Sequence, residues 1–178
     1  MSDDDVPVPA PPAPPAPPPA PTLRIWLDAD ACPKDVKEVV FRASGRTGIA
    51  VVLVANKAMF TPAHSPLISM VQVSGGADVA DDHIVAHASA FDIAVTADIP
   101  LAARLVPMRV VVIDPRGERL DDDNIGERLS VRDFMADVRD TGVVTGGPRP
   151  YSPRDKQRFA STLDAALQQG LQQARRRR

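Results

Sequence analysis

Two aspartates one residue apart, Asp28 and Asp30, close the apolar run Leu23-Arg-Ile-Trp-Leu27, and a helix-starting Pro33 follows at once. A buried strand needs only one polar residue to stop it. Two carboxylates crowded at its end repel each other unless a cation or a proton relieves them. Further acids sit at comparable breaks: Asp78, Asp81 and Asp82 soon after Gly75-Gly76, and Asp98 just after the run Phe91 to Thr96. Carboxylates are hard oxygen ligands that suit Mg²⁺ or Mn²⁺, and magnesium keeps several waters and bridges to substrate phosphate. Two such ions about 3.5–4 Å apart stabilise both the attacking and the leaving oxygen in phosphodiester cleavage. The chemistry expected is metal-assisted hydrolysis, with Asp28, Asp30 and Asp98 as candidate catalytic residues. Asp28, Asp30, Asp78, Asp81, Asp82 and Asp98 are the candidate metal ligands. Arg104, Arg116, Arg128 and Arg132 are candidate phosphate contacts.

Each of these residues also has a bland use. Asp78 suits a helix N-cap, Asp81 and Asp82 suit the positive end of a helix, and Asp98 suits the cap of the short helix that Pro100 opens. The arginines suit salt bridges to the acidic rim. Cys32 precedes a helix start, where a thiol pKa falls, but it has no histidine near it in sequence and reads as buried or capping. His83 and His87 lie four residues apart, a helical spacing that can grip a metal. They lack the glutamate of a zinc-protease motif and, with His64, read as surface or core residues.

The elements that must position these groups follow from apolar patterning. Residues 23–28, Ile49 to Ala55, Leu67 to Val73, Phe91 to Thr96 and Arg109 to Ile113 read as strands, the first, second, fourth and fifth apolar enough to be internal. Helices are predicted from Pro33 to Ser44, with Val36, Val39 and Val40 as the apolar stripe, and from about Asp78 to Ala90, with Val79, Ile84, Val85 and Ala88 inward. A short one spans Leu101 to Val106. Another starts at Asn124, with Ile125, Leu129, Phe134 and Met135 as its apolar face, and the last starts at Ser152-Pro153 and runs through Phe159, Leu163 and Leu167. Asp114-Pro-Arg-Gly117 is a turn signal that opens a small hairpin, and Thr145-Gly-Gly-Pro148 is a loop. Strands alternating with helices of about a dozen residues imply right-handed crossovers. The expected fold is α/β, a three-layer sandwich with a mostly parallel central sheet. In such a sheet the strand carboxyl ends share one edge, so the acids converge there.

Length and composition bound the rest. The chain's 178 residues hold one core-bearing domain. Residues 1–22 form a Pro/Ala-rich arm expected to be disordered, 23–170 the single folded domain, and 171–178 a basic tail ending in four arginines. A single cysteine excludes an intrachain disulfide framework, and no signal peptide or membrane span is evident, which predicts a cytoplasmic protein. Between Asp78 and Asp98 the charged residues are all acidic, whereas basic residues dominate from Arg149 to the end, a distribution suited to holding a polyanion such as RNA or DNA.

Six segments in order, Asp28-Ala-Asp-Ala-Cys-Pro33, Gly76-Ala-Asp-Val-Ala-Asp-Asp82, Val95-Thr-Ala-Asp-Ile-Pro-Leu-Ala102, Asp114-Pro-Arg-Gly117, Asn124-Ile-Gly-Glu-Arg-Leu129 and Thr145-Gly-Gly-Pro148, resemble the YaiI/YqxD family of bacterial proteins. The resemblance covers roughly Leu23 to Leu167. That family is similar to the PIN-like nucleases, so the resemblance implies a PIN-like fold and a metal-dependent nuclease site. Its acids would be Asp28 or Asp30, then Asp78, Asp81 or Asp82, then Asp98 in Thr96-Ala-Asp98, with Asp114 as a loose fourth match. The Asp-x-Asp after an apolar strand also resembles haloacid-dehalogenase-type phosphatases, in which the first aspartate, here Asp28, is the nucleophile. Thr96 could fill that pattern's Thr/Ser position, but none of Lys34, Lys37, Lys57 and Lys156 is suitably placed. The third alternative is a non-catalytic domain binding nucleic acid or protein. Trp26, Tyr151 and five phenylalanines are too few and too apolar in setting to make a single-strand stacking platform.

Overall fold

Strands that are apolar on both faces are stable only between two layers of helices. A computed structural model describes residues 23–62, 65–76, 78–142, 146–147 and 149–176. The arm at 1–22, His64, Thr145 and Pro148 of the glycine loop, and the last two arginines lie outside the described residues. The elements run β1 (Arg24–Asp28), α1 (Lys34–Thr47), β2 (Ala50–Ala55), β3 (Ile68–Gln72), α2 (Val79–His87), β4 (Ile93–Val95), α3 (Ile99–Leu105), β5 (Val111–Ile113), β6 (Arg119–Leu120), α4 (Ile125–Asp140) and α5 (Pro153–Arg176). A 3₁₀ turn, Val106–Met108, follows α3.

The sheet order is β3-β2-β1-β4-β5-β6, with all neighbours parallel except the antiparallel β5–β6 hairpin. The four internal strands are the four apolar runs expected to be internal, and the hairpin forms at Asp114–Gly117. Alternate residues of the strands feed two cores. Ile25, Leu27, Val51, Leu53, Ile93 and Val95 pack with Val36 and Val40 of α1 and Phe159, Leu163 and Leu167 of α5. Trp26, Val54, Ala94 and Val112 pack on the other face with Ile84 of α2 and Leu101 and Leu105 of α3. The molecule is therefore an α/β three-layer sandwich.

Two expectations shift. Strand β4 starts at Ile93, because Phe91 takes a left-handed conformation (φ 77°) and Asp92 turns its side chain back on the chain. Buried Asp92 accepts from Arg24 N (2.9 Å), Trp26 Nε1 (2.9 Å) and Ser89 N (3.0 Å), clamping the amino ends of β1 and β4. Asp92→Ala strands the buried indole N–H and is expected to lower stability by about 2 kcal/mol or more, read as a drop in the urea midpoint at unchanged slope. Helix α4 buries no residue: Ile125, Leu129 and Met135 are half-covered and Phe134 is 64% exposed. It packs chiefly on α3, and of its predicted stripe Ile125 is the residue that reaches the core beside Leu101, Leu105 and Leu120.

Candidate acidic site at the strand ends

The chain runs β1, β2, β3 toward one edge and then returns to lay β4 on the other side of β1. This reversal is the topological switch point, the place where open α/β sheets leave a crevice at the strand carboxyl ends. Asp28 is the last residue of β1 and Thr96 the first after β4, and the Thr96 hydroxyl donates to Asp28 Oδ2 at 2.7 Å. The same hydroxyl accepts from Asp98 N at 2.9 Å. Asp98 in turn caps α3, its Oδ1 accepting from Leu101 N at 2.9 Å. One threonine thus ties the Asp28 carboxylate at the end of the first strand to the Asp98 backbone after the fourth.

Asp28 is only 6% exposed, and burial, the largest cause, raises its pKa; Asp98 and Asp30 raise it further against the hydrogen bond from Thr96. Asp81, in the first turn of α2, is pushed up to about 6, first by burial and then by the charges of Asp98, Asp28 and Asp78, with Arg104 opposing. Asp28, Asp81 and Asp98 therefore form one mutually repelling group drawn from three elements. Asp82 faces outward and accepts from Arg104 Nη2 at 2.7 Å. Asp78 occupies the N-cap position of α2 with a left-handed backbone (φ 64°) and no side-chain cap bond. Asp30 is exposed, and its Oδ2 accepts from Asn56 N, just past β2, at 2.7 Å.

Of the candidate phosphate contacts, only Arg104 stands on this rim. Arg116 donates to buried Asp155 (2.9 Å), Arg128 pairs with Glu118, and Arg132 pairs with its neighbour Asp133 (2.9 Å). Asp155 is structural. Arg149 above all, then Ser152, hold its carboxyl well below the usual range, and its bonds with Ser152 form the box that starts α5. Asp114 is the pivot of the hairpin turn, accepting from Arg116 N and Glu118 N (2.9 and 2.7 Å), while burial raises its pKa. Cys32 is buried, its thiol 3.7 Å from Val95 O, and burial and then Asp28 drive its pKa far upward, so it supplies no thiolate. His83 is half-buried and His87 exposed; burial, then His87, lower the pKa of His83.

Sequence reasoning missed Asn56. Its side-chain oxygen is buried with no hydrogen-bond partner among the described residues, beside Asp30. The only signal for it was an amide directly after an apolar strand, at the same sheet edge as Asp28. Among the described residues no three His, Cys, Asp or Glu side chains converge into a ready cage for a metal. The set fits a hydrated ion: magnesium is usually held by one or two carboxylates plus waters and substrate phosphates. A carboxylate cluster whose charges raise the pKa of Asp28 and Asp81, with an unpartnered oxygen nearby, suits such an ion.

A family model described as "Uncharacterized BCR, YaiI/YqxD family" matches residues 26–169. The chain belongs to the YaiI/YqxD family. It is 53% identical over 154 residues to a UPF0178 protein of Trichlorobacter lovleyi, covering 86% of this chain and 99% of that relative. A UPF0178 protein of Geobacter sulfurreducens is 51% identical over 150 residues (84% and 99%), and one of Myxococcus xanthus 52% over 145 (82% and 94%). No solved structure gives a significant match. The family match thus spans every acid of the rim, from Asp28 to Asp98. No helix among the described residues is long and apolar enough to cross a membrane.

The electrostatics of this YaiI/YqxD protein can be checked directly. A carboxyl whose folded pKa is raised favours the folded state at low pH and weakens it as pH rises from the unfolded value. For Asp81 that window runs from 3.8 to about 6. Asp81 is expected to titrate near 6 by carboxyl-carbon NMR, and Asp98→Asn is expected to shift it downward by removing the largest charge acting on it. Titration of Asp81 at an ordinary carboxylate pKa in the unmutated protein would refute the clustering.

Proposed function

We propose that this YaiI/YqxD protein is a Mg²⁺- or Mn²⁺-dependent phosphodiesterase acting on RNA or DNA. The observation that carries the reading is the meeting of Asp28, Asp81 and Asp98 at the switch point, where the charge of Asp98 disfavours the ionised forms of both Asp28 and Asp81. The resemblance to PIN-like nucleases, which place acids after the first strand, on a middle helix and in a Thr-x-Asp segment, supports it. Asp28 and Asp98 would hold the ion, with Asp30 and Asn56 on its flank. When bound, the ion supplies Lewis-acid polarisation of a phosphoryl oxygen and acidifies its water.

The chain's own groups divide the remaining work. Thr96 donates to Oδ2 of Asp28 and the Ala31 N–H also bonds that carboxyl, which together fix its orientation. Asp81, with its pKa of about 6, is matched to take a proton from an attacking water near neutral pH. Arg104, on the same rim and bonded to Asp82, is placed to meet a phosphate. Phosphatase chemistry with Asp28 as nucleophile is less suited to this geometry, because that carboxylate is nearly buried and one oxygen is engaged.

The test is incubation of the full chain with labelled single- and double-stranded RNA and DNA, with Mg²⁺, Mn²⁺ or EDTA. Cleavage is expected with either metal and none with EDTA. Binding that persists in EDTA with no cleavage of any substrate would overturn the nuclease reading in favour of a binding domain.

A further inference from the structure

The sheet edge opposite the acidic rim holds a cavity of about 260 Å³, between the residues that lead into β4 and β5, the end of β6 and the second half of α5. Buried Val110, Leu120 and Ala166 form its apolar side. Among the described residues three non-glycine residues have left-handed backbones, and two of them, Phe91 (φ 77°) and Arg109 (φ 62°), line this cavity. Phe91 N donates to the Arg109 carbonyl at 2.9 Å. Such conformations cost free energy and cluster at ligand sites. Arg109 is exposed, and its side chain makes no hydrogen bond or ion pair among the described residues. Arg119 donates one N–H to Gln169 Oε1 at 3.2 Å, which leaves its other guanidinium donors and the Gln169 amide N–H₂ unengaged. Two acids share the cavity. Asp121 Oδ1 accepts from Asp123 N at 3.1 Å, whereas exposed Asp122 has no side-chain partner among the described residues.

We infer that this cavity, lined by Arg109, Arg119 and Asp122, binds a small sugar phosphate. Guanidinium groups with spare donors supply the charge-assisted, forked hydrogen bonds that phosphate oxygens take. A carboxylate without a partner accepts from a sugar hydroxyl, as an acid does from ribose in dinucleotide sites. The apolar side covers the carbon skeleton between the two. An apolar wall with a few polar groups is the usual form of a small-molecule site, and drug-sized ligands occupy roughly 300–1,000 Å³. A cavity of about 260 Å³ therefore limits the occupant to a small molecule. The inference does not rest on the nuclease reading, because the cavity lies at the amino ends of β4 and β5 and the rim acids lie at the carboxyl edge.

Calorimetric titration of the full chain with ribose 5-phosphate, ribose and inorganic phosphate, all in EDTA, tests it. EDTA leaves the acidic rim without a cation that could recruit phosphate. One ribose 5-phosphate per chain is expected, bound about tenfold or more tighter than either fragment. Arg109→Gln and Arg119→Gln are each expected to weaken it by about tenfold or more. Both arginines are exposed, so these variants leave the core intact and loss of binding reads the site. Arg46→Gln removes the same charge from α1, where Arg46 pairs with Asp164 of α5, and is expected to leave the affinity unchanged. The inference is overturned if ribose 5-phosphate binds no tighter than about 1 mM, or if either Arg109→Gln or Arg119→Gln binds as tightly as the parent. It is equally overturned if Arg46→Gln weakens binding as much as they do, or if inorganic phosphate alone binds as tightly as ribose 5-phosphate.

Discussion

Asp28→Asn is expected to cut metal-dependent cleavage by about a hundredfold or more while making the protein more stable. The two effects share one cause. Asp28 is almost fully buried, and burial and the charges of Asp98 and Asp30 all disfavour its ionised form. A neutral amide can still accept from Thr96 Oγ1 and keeps the corner in place, yet it removes the charge that would hold a cation. The gain depends on pH in a fixed direction. The raised pKa means that the aspartate costs nothing below its unfolded value of 3.8, and the cost grows as pH rises through the folded value. The variant's advantage in urea unfolding should therefore be near zero at pH 3 and about 0.5–2 kcal/mol at pH 7, the usual gain on relieving a strained functional site. Stability lost at pH 7, with activity retained, would show that Asp28 is structural. Function and stability oppose each other at sites of this kind, and opposed signs in the two measurements would mark Asp28 as one of them.

Gly117→Ala is expected to cost about 3 kcal/mol or more, by a route with no electrostatics in it. Gly117 closes the β5–β6 turn with φ at +81°, and a Cβ there would stand 2.5 Å from Phe159 N and 2.6 Å from the Arg158 carbonyl carbon. These are backbone atoms of α5, so no side chain can move aside. The Gly117 carbonyl also accepts from Thr162 Oγ1 at 2.8 Å, which pins the turn to the helix. Gly48 supplies the control. It has a similar φ of +74° with nothing within 4 Å of a Cβ, so Gly48→Ala should cost only the conformational part, about 1 kcal/mol. Equal losses for the two variants in urea titration would mean that the close approach to α5 is not decisive.

Much of the fold was legible because strand and helix periodicities are local. The four apolar runs became the four internal strands, Asp114-Pro-Arg-Gly117 became the hairpin turn, and Ser152-Pro153 opened α5. The apolar stripe of α4 misled, since amphipathic spacing records that a helix has a greasy side without recording whether anything covers it. Phe134 shows the difference. The start of β4 misled for a similar reason: an apolar residue at 91 looks like strand until the left-handed turn and the Asp92 clamp are seen.

For the candidate site, residue types and spacing alone determined that carboxylates follow the first and fourth strands and open a helix between them. Parallel connectivity puts such positions on one edge, so their convergence needed no coordinates. Tertiary structure alone decided which acids belong together. The charge of Asp98 raises the pKa of Asp28 and, together with Asp28, that of Asp81, while Asp82 turns to Arg104, Asp30 to the backbone of Asn56, and Asp114 to its own turn. It also assigned Arg116 and Arg128 to ion pairs and brought Asn56 and Thr96 to the acids. Position along a chain sets which edge of the sheet a residue reaches; the distance and burial that make charges couple depend on where distant strands and helices pack.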